Sequence, residues 1–268
     1  MRTITKALII TAFLLSWTAE GKAQLIVDSK HMVRVMSFNI LHGETLKGNF
    51  DLDYLARMIL KYKPDLVALQ EVDYRTNRVK KMDLAKELGK RTGMASIFGK
   101  AMDFDDGEYG EAILSKYGIV KSRNIPLPYS GENEPRTLLE VMLILPSADT
   151  ILFAGTHLDH LEEGIDRLAQ ARKINEIYAE PRYPVILAGD FNCGPGAIPF
   201  QLLEDKWFIA SGAGITLPTY PSEHPETAID HIMCSPRAAF RVVNREVACD
   251  LVASDHCAVI VSLELIKN

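Results

Sequence analysis

The chain is 268 residues long, 47% hydrophobic and 24% charged, with a formal net charge of −5. That balance suits one well-filled globular domain, and the chain shows no linker, low-complexity tract or internal repeat of the solenoid kind. The acidic total also lacks the basic footprint that supplies most affinity for nucleic acid phosphates.

In chain order, Arg2 and Lys6 precede the apolar run "ALIITAFLL", and small residues Gly21 and Ala23 close the segment. This order of charge, apolar core and cleavage site reads as a signal peptide over residues 1–23, with an uncleaved anchor as the alternative. The mature chain would begin near Gln24, be secreted or periplasmic, and form a single domain over 24–268. Removing Arg2, Lys6, Lys22 and Glu20 takes away a net +2 and leaves −7. No transmembrane segment is expected in the mature chain, and a monomer is expected.

Residues 32–40, "MVRVMSFNI", predict a strand ending near Asn39. "DLDYLARMILKYKPD" then carries Leu52, Leu55, Met58 and Ile59 at helical spacing and stops at Pro64. "DLVALQEVD" is a buried strand that reaches Glu71, and a helix over about 82–92 is closed by Gly93. A β-rich stretch follows, with strands at "EAILSKY", "IVKSRNIPL", "RTLLEVMLIL" and "ILFAGTHLDH". A helix over 162–179 precedes the strand "VILAGD", and the last third offers strands near 228–234, 239–248 and 257–265. Helices alternating with strands around a block of consecutive strands fit two packed sheets with helices outside. Cys193, Cys234, Cys249 and Cys257 form no CxxC pair, and an exported chain could pair them or keep them as buried thiols.

The apolar strands end in a restricted set of residues: Asn39, Glu71, His157 with Asp159 and His160, Asp190 with Asn192, Asp230 with His231, and Asp255 with His256. Singly, each has a local explanation in turns, caps or a satisfied core histidine. Together they are acceptors for hard metal ions and donors for a phosphate; a zinc site would carry more His and Cys.

"SFNI", "LQEVD", "GEYGEAILSK", "GTHLDH", "AGDFN", "IDHIM" and "SDHCAVI" occur in an order and spacing that resemble the endonuclease/exonuclease/phosphatase superfamily over roughly 32–265. The resemblance implies a four-layer α/β/β/α sandwich of two mixed sheets flanked by helices, as in DNase I-like proteins. It implies a divalent-metal-dependent phosphoesterase using Mg²⁺, or Mn²⁺ or Ca²⁺, as one or two ions. Glu71 would be the principal metal ligand, with Asn39 beside it and Asp255 close to the metal. Asp190 would activate water, and Asn192 would hold that water or the phosphate. His157 would contact the phosphate, and His256, oriented by Asp230, would contact a phosphate oxygen or act as a base.

Arg136 and His160 are weaker candidates for the cleft wall. So is Arg75, in the basic run "DYRTNRVKK". Where many relatives read "YGNAILS", this chain has Glu111. That carboxylate could alter metal preference, repel a polyanion or form a structural ion pair. The acidic balance favours a small phosphorylated molecule or a lipid head group as substrate. A secreted DNase I-like endonuclease or exonuclease is the alternative, and an inactive binding protein of the same fold a more distant one.

Overall fold

The computed structural model describes residues 31–212 and 217–266, so the expected signal peptide lies outside the described residues. Twelve strands occur in chain order: β1 (Met32–Asn39), β2 (Leu66–Tyr74), β3 (Ala95–Phe104), β4 (Gly107–Ser115), β5 (Ile119–Pro126) and β6 (Thr137–Ile144) come first. They are followed by β7 (Thr150–His157), β8 (Val185–Asp190), β9 (Phe208–Ile209), β10 (Asp230–Ser235), β11 (Phe240–Ala248) and β12 (Ala258–Leu265). One sheet has the order β11-β12-β1-β2-β4-β3 and the other β5-β6-β7-β8-β10-β9. Each is mixed: β1 and β2 run parallel, as do β7 and β8, and their other neighbours are antiparallel.

Strand alternation builds the layers. Val33, Val35, Leu66, Ala68, Ile113, Phe153, Ile186, Ala188, Ile232 and Val261 face one another between the sheets, all essentially inaccessible. Truncating Phe153 in that layer would cost about 3–5 kcal/mol. The opposite faces are covered by helices. α1 (Leu52–Lys61) and α2 (Leu84–Thr92) pack on the first sheet around Leu55, Ile59, Leu88 and Val67. α3 (Ile165–Ile177) and α4 (Ile198–Glu204) pack on the second around Ile174, Phe200 and Leu187. The result is the expected α/β/β/α sandwich.

The helix ends obey local chemistry. Asp51 and Asp83 accept N-terminal amides from Tyr54 and Lys86, and Gly93 closes α2 at φ 69°. α3 is shorter than the 162–179 pattern, because Gly164 at φ 63° turns the chain into it. Its buried face carries Asp166, Arg167 and Gln170 as well as Ala171 and Ile174. These polar groups hold loops: Asp166 accepts from the Ser130 N–H, the Ser130 hydroxyl and Asn133, and Arg167 donates to the Asp159 carbonyl.

Cys249 and Cys257 form a disulfide across the β11–β12 connection, while Cys193 and Cys234 are buried thiols. No helix among the described residues is long and apolar enough to cross a membrane.

Candidate active site

Parity along the strands delivers several polar residues to one open end of the inter-sheet layer. Ile186 and Ala188 face the inter-sheet core, so Asp190, two residues on, faces the same side at its rim. In the ladder His157 lies opposite Asp190 on one side and Asp230 opposite it on the other, which sets three side chains in one row. From the facing sheet Asn39 ends β1 with the parity of Val33 and Val35. His256 arrives just before β12, on a segment tied to β1 by the Ser254 hydroxyl bonding the Asn39 carbonyl at 2.7 Å.

Glu71 breaks this rule. Its parity matches Val67 and Leu69, which face the helices. The β2–β4 ladder slips between Leu69 and Val72, and Glu71 takes φ 58° inside that bulge. A bulge re-aims a side chain, and here it turns the carboxylate into the cleft. Asn192, at φ 49°, and Leu41 and His42, at φ 46° and 45°, are also in the left-handed region. Such backbone costs free energy and concentrates at functional sites.

Of these, His42, Glu71, His157, Asp190, Asn192 and His256 line a cleft of about 480 Å³. Asn39 Nδ2 donates to Glu71 Oε1 at 3.1 Å and to Asp190 Oδ2 at 3.2 Å, and so spans the two carboxylates. The Asn192 backbone N–H donates to Asp190 Oδ1 at 2.9 Å, and its side-chain amide donates to the Leu158 carbonyl. His256 Nδ1 lies 2.9 Å from Asp230 Oδ2. His157 Nε2 and His256 Nε2 lie 3.4 and 3.7 Å from Asp190 Oδ2.

The electrostatics divide the site. Asp190 is 1% exposed; burial, then the like charge of Asp230, pushes its carboxyl up to about 7. Burial opposes ionisation of Glu71 too, yet hydrogen bonds from His42 and Asn39 and positive charge across the cleft hold it at about 2. Burial would lower His256, but Asp230 overrides it and lifts the imidazole to about 10. His157 falls well below its ordinary value, from burial and then from the neighbouring Arg136 charge. At neutral pH the site therefore holds an ionised Glu71, a poised Asp190, a cationic His256 and a neutral His157.

Residues 36–256 match the Endonuclease/Exonuclease/phosphatase family. The chain belongs to that family. Solved structures agree in fold: an endonuclease/exonuclease/phosphatase from Beutenbergia cavernae aligns with TM-score 0.72 and 23% identity, covering 88% of this chain and 72% of that one. A mannosyl-6-phosphatase from Bacteroides thetaiotaomicron gives TM-score 0.66 and 19% identity over 88% and 100%. The human Nocturnin catalytic domain with bound sulfate gives 0.66 and 20% over 90% and 97%. No curated protein matched in the sequence comparison.

Endonuclease/exonuclease/phosphatase proteins are hydrolases of phosphoester bonds, and the donor chemistry here fits the divalent cation the family generally uses. Glu71 is ionised, and Glu71 and Asp255 both line the cleft with hard oxygen donors. Asn39 directs its Nδ2 to the carboxylates and accepts the Leu41 N–H on Oδ1, so in this arrangement it orients Glu71 and Asp190. Asp190, Asp230 and His256 also bring ligand-type atoms within 4.8 Å of one another. With His256 Nδ1 engaged by Asp230 and the ring protonated, that trio is an acid–imidazolium network, and Glu71 is the better cation anchor.

Arg136 and His160 line the cleft, whereas Arg75 does not. Arg75 sits at φ 57° just past β2, stacks on Tyr74 at 5.3 Å and lines a separate groove with residues 103–108. From the same basic run it is Arg78 that reaches the cleft, held bidentate by buried Asp73. Glu111 shares the parity of Ile113 and lies buried beneath the cleft, 1% exposed. Among the described residues it forms no ion pair and its Oε2 has no hydrogen-bond partner, and burial pushes its carboxyl well above the ordinary range. The structural ion pair considered for it is absent, and it does not line the cleft.

Asp159 and His231 also turn away. Asp159 caps its own loop through the Leu161 N–H, and His231 packs on Phe191 and Phe200 with Nε2 facing the Cys193 and Ala228 carbonyls. The cleft further recruits His42, Met102, Phe104, Tyr109, Glu134 and Tyr220, none marked by a strand-end motif. Of these only Tyr109 lies inside a motif quoted from the sequence, "GEYGEAILSK".

Proposed function

We propose that this protein is a divalent-metal-dependent phosphoesterase, exported from the cytoplasm, whose substrate is a small phosphorylated molecule or a lipid head group. The observation that carries the reading is Asp190: a buried carboxylate poised near neutral pH, at the mouth of a cleft, with an imidazolium on one side and a neutral imidazole on the other. A base works best when its pKa lies near the operating pH, and positioned proton transfer of this kind is worth about 10²–10⁴ in rate.

In the mechanism, Asp190 accepts the proton of the attacking water. The Asn192 backbone N–H and the Asn39 amide hold its two oxygens, so the carboxylate needs no reorientation as the water approaches. His256, kept cationic by Asp230, directs Nε2–H toward the non-bridging oxygens, where negative charge builds. His157 adds a second donor from the opposite side. A cation bound at Glu71 and Asp255 would supply Lewis acidity to the phosphate.

The acidic total charge supports a small substrate over a polynucleotide, since Arg78 and Arg136 are already engaged by Asp73 and Glu134. The Cys249–Cys257 disulfide supports an oxidising compartment, in keeping with the expected signal peptide. The test is a Mg²⁺- and Mn²⁺-dependent hydrolysis panel comparing sugar phosphates, inositol phosphates, sphingomyelin and plasmid DNA. Preferred turnover of a small or lipid phosphoester is expected; DNA as the best substrate would overturn the substrate assignment.

A further inference from the structure

Arg136, just before β6, is 3% exposed and places its guanidinium against both cleft-wall histidines. Nη1 lies 3.3 Å from His157 Nδ1 and Nη2 lies 3.2 Å from His160 Nδ1. Nη2 also pairs with Glu134 Oε2 at 2.9 Å. A guanidinium has five N–H donors, no acceptor, and does not lose its charge. The imidazole nitrogen facing it must therefore offer a lone pair. In both rings that nitrogen is Nδ1, which leaves the hydrogen of the neutral ring on Nε2.

We propose that Arg136 is a positioning residue that locks His157 and His160 in the Nε2–H tautomer, so that both present a neutral donor to the oxygens of a substrate phosphate. The phosphate half of the proposal rests on the phosphoesterase reading; the tautomer half rests on geometry alone.

Three observations favour this role over simple packing or charge balance. Glu134 is 44% exposed on its side chain and could be satisfied by water, so it does not require a buried guanidinium. Arg136 Nε is buried with no hydrogen-bond partner among the described residues, a desolvation cost that packing alone does not explain. The partner also sorts the cleft histidines by state. His256 faces a carboxylate through Nδ1, which demands a hydrogen there, whereas His157 and His160 face a guanidinium, which forbids one. With His256 already cationic beside Asp190, neutral rings at the other two positions supply donors without adding charge that would compete for Asp190.

The test uses the mature protein, labelled with ¹⁵N-histidine and freed of metal with EDTA. Long-range proton–nitrogen correlation spectra should show an unprotonated Nδ1 and a protonated Nε2 for both His157 and His160. In Arg136→Met, His160, the more exposed ring, should populate both tautomers. With bis(p-nitrophenyl) phosphate as substrate, Arg136→Met should lower kcat about 10²-fold, the scale of losing one positioned donor. If Arg136 acts through the histidines, adding His160→Ala to Arg136→Met should cost less than the product of the two single effects.

A wild-type spectrum with hydrogen on Nδ1 of either ring would overturn the lock, and needs no variant to fold. Unchanged tautomers in Arg136→Met, or strictly multiplicative kinetic effects, would also overturn it. Failure of the wild-type enzyme to hydrolyse any phosphoester would instead sink the phosphoesterase reading and, with it, the phosphate-donor half of the proposal. The spectra would still decide the tautomer lock.

Discussion

Replacing Asp190 by Asn should separate stability from catalysis, with a sign that depends on pH. Asp190 titrates near 7 in the folded protein against an ordinary value of 3.8. Because the folded value is raised, ionisation destabilises the native state. The penalty is absent below the unfolded pKa, builds as pH rises from about 4 to about 7, and is complete above that. A gap of roughly three pH units amounts to about 4 kcal/mol.

The amide removes this penalty but introduces another. Its N–H₂ would face the Asn39 Nδ2 donor at 3.2 Å and His157 Nε2 at 3.4 Å, costing about 2 kcal/mol. The variant should therefore be more stable than wild type by about 2 kcal/mol near pH 8 and less stable by about 1 kcal/mol near pH 4.5. Urea unfolding in EDTA at the two pH values measures both differences, free of metal linkage. Hydrolysis should meanwhile fall by about 10²–10⁴. A stability difference of the same sign and size at both pH values would refute the account of Asp190 as a strained, poised base.

The other expectations concern its neighbours. Asp230→Asn should drop the His256 pKa from about 10, since burial then acts with less opposition, and NMR titration would record the fall. In wild type, where the folded pKa exceeds the unfolded value of about 6.5, the His256–Asp230 pair stabilises fully below that pH. Its contribution is lost as pH rises through about 10, and Asp230→Asn should lack that loss. The kcat/KM profile of wild type should rise through an apparent pKa at or below about 7, lower with metal bound, and fall as His256 deprotonates near 10.

Gly189→Ala should destabilise by about 3 kcal/mol in denaturant unfolding, because its Cβ would strike the Thr156 carbonyl oxygen across the β7–β8 ladder. Cys249→Ala with Cys257→Ala opens an eight-residue separation and should cost about 2–3 kcal/mol in thermal unfolding. The segment it frees carries His256.

Most of the sandwich was legible because its strands are apolar and its helices capped. Helix α1 showed its buried stripe, and Gly93 its stop. Three elements were not legible, the two-residue strand β9 among them, which is too short to show any alternation. Strand β3, "ASIFGKAMDF", is an edge strand that is mostly half-exposed, so it lacks both a continuous apolar run and a clean alternation. Helix α4 is only seven residues long, too short for a period to show.

The site was legible where parity did the work: Asn39, His157, Asp190 and Asp230 follow from counting along their strands. Glu71 was legible only as a strand-end acid, since parity alone would have sent it toward the helices; the bulge that rescues it is set by tertiary pairing. Arg75 and Arg78 illustrate the limit. Three residues apart in one basic run, they are separated by a turn that no spacing rule resolves, and Asp73 decides which one enters the cleft. Glu111 shows the converse, a motif position whose neighbours in space bury it.

The most direct test of the central claim is hydrolysis of bis(p-nitrophenyl) phosphate by the mature protein with Mg²⁺ or Mn²⁺, before and after EDTA, beside Glu71→Gln and Asp190→Asn. Expected are turnover that EDTA abolishes and added metal restores, a lower rate with a raised metal requirement for Glu71→Gln, and near-complete loss of rate with Asp190→Asn in a folded protein. Turnover that survives both EDTA and Asp190→Asn would contradict it.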